Sequence, residues 1–230
     1  MRNTALLDIL FQIYIYACPL LPFTIVCFLF SYQKRLQKKN GADDVSKTPS
    51  RRAEILHGIG LALFGVYLAM VLDVTASGTL YDLLRSGGLA INTATVNLIP
   101  FSDPNYSPVG YTLNVIMLMP FGFLLPTLFR DKRKLWKTAL SGALFSVLIE
   151  CSQLLNYRST DVDDVILNTL GAVIGYLIYR LFARVTRYDI GQADGIPCES
   201  AVLVLTAFLG KFLLYNGYGL ACLLYPLYPG

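Results

Sequence analysis

Six apolar runs divide the chain: residues 5–32, 55–79, 112–129, 138–156, 165–183 and 201–224. A helix needs about 20 predominantly apolar residues to cross the hydrocarbon core of a bilayer. Only helices and closed barrels satisfy every backbone polar group there. Runs of this length therefore predict an all-α polytopic transmembrane helix bundle with five to six spans. Composition agrees: 15% of the residues are charged and 55% hydrophobic, whereas soluble domains carry about 25% charged residues. Disorder is excluded, because 13% of the residues are aromatic and disordered segments are poor in aromatics. Nucleic-acid binding is also excluded, since it needs the basic residues on one soluble face.

The first run contains Pro19 and Pro22, which are expected to kink or locally break it. A cleaved signal peptide fits poorly. Arg2 is the single early base, Asp8 interrupts the run, and apolar residues continue past Cys18 to Phe30. The same continuation opposes a lipoprotein reading of Ile15-Tyr16-Ala17-Cys18. The sixth run is the least regular, with Lys211 in its middle and frequent glycines, so a tilted or interfacial helix is an alternative to a sixth span.

Lys and Arg accumulate in cytoplasmic loops. One set of connections holds seven bases (Lys34, Arg35, Lys38, Lys39, Lys47, Arg51, Arg52), five (Arg130, Lys132, Arg133, Lys134, Lys137) and three (Arg180, Arg184, Arg187). The other set holds Arg2, Arg85 and Arg158. This alternation places the N-terminus outside. The five cysteines are scattered without zinc-ligand spacing, and no disulfide framework is expected.

The polar residues inside or beside spans gather on the outer side. Asn97 precedes span three and Asn114 lies near its start. Glu150 and Gln153 share a face near the end of span four. Arg158 follows in the turn, Asp161, Asp163 and Asp164 open span five, and Asn168 lies one turn in. At 1.5 Å per residue Glu150 lies roughly 9 Å deep, and Asn114 and Asn168 on the order of 5 Å. Intramembrane ionisable groups are costly and face a cavity or a partner. The structural alternative is that the aspartates cap a helix, Arg158 holds two helices together, and Asn114 and Asn168 are interhelical hydrogen-bond glue. His57 is the single histidine and falls at the cytoplasmic start of span two, which excludes a Ser-His-Asp mechanism on the outer face. Asp73 is a weaker candidate for the outer cluster, and Lys211 is assigned no role beyond snorkelling to an interface.

Asn97-Leu98-Ile99-Pro100-Phe101, Leu113-Asn114, Pro120-Phe121-Gly122-Phe123, Glu150-Cys151-Ser152-Gln153, and the string from Arg158 through Asp161-Val162-Asp163-Asp164 to Asn168 and Gly171 resemble the VanZ-like family over about residues 97–182. The chain then reads as a two-span region (1–96) with a basic cytoplasmic loop at 33–54, a VanZ-like three-span core (97–183), and a linker with a probable sixth span (184–230). The resemblance implies a multi-pass protein of a bacterial cell membrane. The family's name-giving member is associated with teicoplanin resistance, without a settled biochemical activity.

Three functions follow as expectations. In the first, an extracytoplasmic polar pocket binds a membrane lipid head group or a lipid-linked cell-wall precursor. Arg158 meets phosphate, while Asn97, Asn114, Gln153, Asp161, Asp163 and Asn168 contribute hydrogen bonds. In the second, a membrane hydrolase or transferase acts on a phosphate or glycosyl head group. Glu150 is then the general base, with Asp164 as a second catalytic carboxylate, and Asp161, Asp163 and Asp164 offer oxygen ligands to a divalent ion. In the third, the chain is a small transporter or flippase, a reading weakened by the missing inverted repeat. No resident metal or cofactor is assigned.

Overall fold

The computed structural model describes residues 4–39, 51–85, 96–102, 107–156, 160–186 and 198–224. Arg158 lies outside them. In chain order the elements are α1 (Thr4–Lys39), α2 (Arg51–Val74), α3 (Leu80–Arg85), β1 (Val96–Asn97), α4 (Pro108–Leu128), α5 (Leu135–Gln153), β2 (Thr160–Asp161), α6 (Val162–Thr186), α7 (Glu199–Leu214) and α8 (Gly217–Leu224). Among the described residues, five helices are long and apolar enough to cross a membrane, and the bent pair α7–α8 adds a sixth crossing if taken as one. The chain is thus a multi-pass membrane helix bundle. The helices place Asp73, Glu150, Asp161, Asp163 and Asp164 at one end, hereafter the acidic end. Lys34, Arg51, Arg52, Arg130 and Lys132 mark the opposite, basic end.

Glycines set the closest packing. A methyl group on Gly122 would run into the Ala172 carbonyl, one on Gly171 into the Val115 carbonyl, and one on Gly175 into the Met119 carbonyl. The backbones of α4 and α6 therefore touch directly, the usual role of small residues between membrane helices. Gly142 of α5 leaves room for the Ala172 side-chain methyl of α6. Phe121 stacks on Phe145 with centroids 5.4 Å apart, and Phe64 of α2 leans on Phe121 at 5.9 Å. Phe23, Leu68, Leu118 and Leu203 complete this core. Phe28, Leu63, Leu144 and Leu181 face outward, where lipid rather than water meets them.

Three local expectations are corrected. First, α1 runs without a break through Pro19 and Pro22. Each proline removes one amide donor and leaves a carbonyl four residues earlier without its helical partner. Around Cys18 and Pro19 the backbone packs against Gly210 of α7, so tertiary contact supports the helix at the weak point. Second, the last apolar run is not one helix. It bends by 46° between α7 and α8. The break is pinned to α1, because the Tyr14 hydroxyl donates to the Leu214 carbonyl (2.6 Å) and accepts from the Asn216 amide (2.9 Å). Asn216 in turn caps α8 by accepting from the Gly219 amide at 2.8 Å. Third, the third apolar run, placed at 112–129, starts earlier: residues 80–111 contain α3, β1 and the first turn of α4. Ser107 starts α4 early by capping Gly110, with Pro108 in the first turn.

Gly175→Ala is expected to cost about 1–3 kcal/mol through overpacking, read as a lowered thermal midpoint in detergent. Gly58→Ala, where a methyl group meets open space among the described residues, should leave that midpoint unchanged.

Candidate functional site

The acidic end is organised around a two-residue parallel strand pair, Val96 beside Thr160 and Asn97 beside Asp161. Backbone pairing is supplemented by side chains. The Asn97 amide donates to Asp161 Oδ2 (3.2 Å). Asn97 Oδ1 accepts from the Ile99 amide (3.1 Å) and from the Ser102 hydroxyl (3.0 Å). Asn97 therefore spends both ends of its amide group on the loop. On the other strand, the Asp161 amide donates to Glu150 Oε2 (3.2 Å), and the Thr160 hydroxyl donates to the Glu150 carbonyl (3.3 Å). Glu150 thus anchors β2 to the last turn of α5.

Asp163 is fully buried. Its Oδ1 accepts from the Phe101 amide at 2.7 Å, and its Oδ2 accepts from the Tyr111 hydroxyl. Its own amide donates to Asp161 Oδ1 at 2.9 Å. One carboxylate thereby ties the loop after β1, the first turn of α4 and the start of α6. Asp164 accepts from the Asn114 amide, a second tie between α4 and α6. The N-terminus of α6 adds a favourable dipole for both charges. The capping reading fits Asp161, whereas Asp163 is a latch between three segments.

Below this latch α5 carries a polar column. Ser146, Glu150 and Gln153 are spaced by four and three residues, so they share one face, and all three are buried. Ser146 accepts from the Asn168 amide of α6 (2.8 Å), and the Gln153 amide donates to the Thr75 carbonyl beyond α2 (2.8 Å). The other ends of these two side chains are unmet. Gln153 Oε1 and Asn168 Oδ1 have no hydrogen-bond partner among the described residues, although Gln153 is 6% and Asn168 2% exposed. A buried polar atom left unpaired costs about 1–3 kcal/mol.

The three aspartates do not form an ion cage. Each accepts from different N–H or O–H donors, and among the described residues no group of three His, Cys, Asp or Glu is placed to hold a metal ion. His57 is buried at the basic end, edge-on to Phe129 at 6.4 Å.

Tyr111, Ser146 and Ser102 join the network without having been singled out from the sequence. Tyr111 lies three residues before Asn114, and Ser146 four before Glu150, so helical spacing offered the signal. Asp73 and Lys211 form a separate cluster. Lys211 is buried, lies 3.4 Å from Asp73 Oδ1, and sits 3.7 Å above the Tyr215 ring. No local pattern links residues 138 positions apart.

The VanZ/LLP1 family model matches residues 13–183, well over half of the chain. The match reaches upstream of the motifs into α1 and α2, and it leaves α7 and α8 outside. No curated protein and no solved structure matches the chain.

Asp163→Ala removes the acceptor that the Phe101 amide and the Tyr111 hydroxyl share, with an expected cost of about 1–3 kcal/mol. Hydrogen exchange should show faster exchange at residues 97–102 in this variant than at the centre of α2. Uniform exchange in both regions would contradict the latch.

Proposed function

Because this chain belongs to the VanZ/LLP1 family, we propose that its acidic end binds the head group of a membrane lipid, specifically a lipid-linked precursor of the bacterial cell envelope. The observation that carries this reading is the pair of buried acceptors without a partner among the described residues, Gln153 Oε1 at one end of the polar column and Asn168 Oδ1 of α6, whose amide meets Ser146 at the other. Acceptors call for donors, and the hydroxyl groups of a sugar or the amide groups of a peptide head group supply them. Asp161 and Asp164 are only partly buried and form the accessible rim. Arg158, three positions before Asp161 in the chain, supplies the cation for a phosphate.

The charge distribution supports an extracytoplasmic position for this site. Lys34, Arg51, Arg52, Arg130 and Lys132 lie at the opposite end, and basic residues favour the cytoplasm. The N-terminus is then outside. Holding a precursor at the outer face would shield it from a glycopeptide, the route by which such a protein contributes to teicoplanin resistance. The dispersed hydrogen bonding of the carboxylates favours binding over metal-assisted hydrolysis.

Native mass spectrometry of the detergent-purified protein tests the reading. The wild type should retain a polyprenyl- or phospholipid-sized mass that an Arg158→Ala, Glu150→Gln double variant loses while keeping its thermal midpoint within a few degrees. The same retained mass in both proteins, or none in either, would leave the polar column a purely structural device.

A further inference from the structure

The segment Leu98–Phe101 is apolar, yet the fold turns it outward. Leu98 is 72%, Ile99 68% and Phe101 60% exposed. A mobile surface loop would leave such residues to collapse, but this segment is held from beneath. Asn97 Oδ1 accepts from the Ile99 amide, and the single Ser102 hydroxyl proton is shared between Asn97 Oδ1 and the Ile99 carbonyl, 2.7 Å away. Phe101 adopts a left-handed backbone conformation, φ 54°. A bulky residue is rarely found there, and the Phe101 amide reaches the buried Asp163 carboxylate from it.

Two observations identify what covers the tip. The first is its depth. Asp163 meets Tyr111, three residues inside α4, and the paired strand is tied to Glu150, three residues before the end of α5. The Glu150 tie lies about 5 Å along α5 from its end. The loop therefore folds back beside the spans instead of standing above them. The Phe101 ring meets the Tyr111 ring edge-on at 6.1 Å, and the same helix presents Val109 and Leu113 outward. The apolar tip thus continues the lipid-facing side of α4.

The second is its backbone chemistry. Ile99 donates to Asn97, Pro100 has no N–H, and Phe101 donates to Asp163. Three consecutive amides are satisfied or absent at the tip. A loop in water has no need of this, whereas non-helical backbone at membrane depth does.

We infer that residues 98–101 form a rigid apolar finger seated at the boundary between head groups and acyl chains of the bilayer leaflet, with lipid chains as its occupant. The finger stands whether or not the polar column holds a head group, since it rests on loop geometry rather than on the unpartnered acceptors. Its place beside Asp161 and Asp164 would deliver membrane lipids sideways to the rim of the site.

Trp136 is the single tryptophan and starts α5 at the basic end. In a Trp136→Phe background, Leu98→Trp and Phe101→Trp each give a sole tryptophan at the finger, excited selectively over the tyrosines, and Leu98 is exposed enough to accept the larger ring. Both are reconstituted into phosphatidylcholine vesicles with brominated acyl chains, and separately into plain vesicles with aqueous iodide. The expected result is blue-shifted emission, mostly lost to bromines about 5–10 Å below the head groups and little affected by iodide. Emission quenched by iodide and untouched by brominated chains would overturn the inference. It would place the finger in water, as a docking surface for a soluble partner.

Discussion

A fully buried carboxylate requires donors, and the acidic end of this protein is built around meeting that requirement for Asp163. Removing an ionised carboxylate from water is costly unless hydrogen bonds replace the hydration. Asp163 obtains them from a loop amide and a helix hydroxyl, Phe101 and Tyr111. Its position forces β1 and β2 side by side, fixes the direction of the apolar finger, and brings Asn114 to Asp164. The close backbone contact of α4 and α6, made possible by Gly122, Gly171 and Gly175, puts these partners within reach of one another. Packing by small residues and satisfaction of a buried charge are thus two halves of one arrangement.

The turn after α2 extends this arrangement to the rest of the bundle. Thr75 and Ala76 accept from Gln153 and Asn156, and the Gly78 amide donates to the Ser152 hydroxyl at 3.1 Å. Two residues before Thr75, Asp73 pairs with Lys211 of α7. The helices outside the family match are therefore joined to the matched region by an ion pair with its lysine buried and its aspartate half-buried, and by Tyr14 at the α7–α8 break. Breaking such a pair by removing one partner leaves an uncompensated buried charge, which explains how a lysine persists in the middle of an apolar run.

Much of this was legible in the sequence, for physical reasons that differ from feature to feature. Span number and placement follow from apolar length, since the bilayer imposes it. The convergence of Asn97, Asn114, Glu150, Asp161, Asp163 and Asp164 at one end follows from counting residues along antiparallel spans. The roles of these residues were less legible. Asp163 and Asp161 have the same local pattern at a helix start, and only the tertiary partners separate latch from cap. The unbroken course of α1 through Pro19 and Pro22 goes with the contact to Gly210, which lies far away in the chain. The two-residue strand pair is too short for any periodicity to announce it. Lys211 could not be matched to Asp73, because helix packing rather than spacing brings them together.

The central claim is that the acidic end is a preformed receptor for a lipid head group, with Gln153 and Asn168 holding acceptors in reserve. A crystal structure grown in a lipid mesophase doped with native membrane lipids tests it most directly. The account predicts an ordered head group whose donor atoms lie within hydrogen-bond distance of Gln153 Oε1 or Asn168 Oδ1, with its phosphate beside Arg158. Those oxygens occupied by protein side chains or by water, with lipid ordered elsewhere on the bundle, would contradict it.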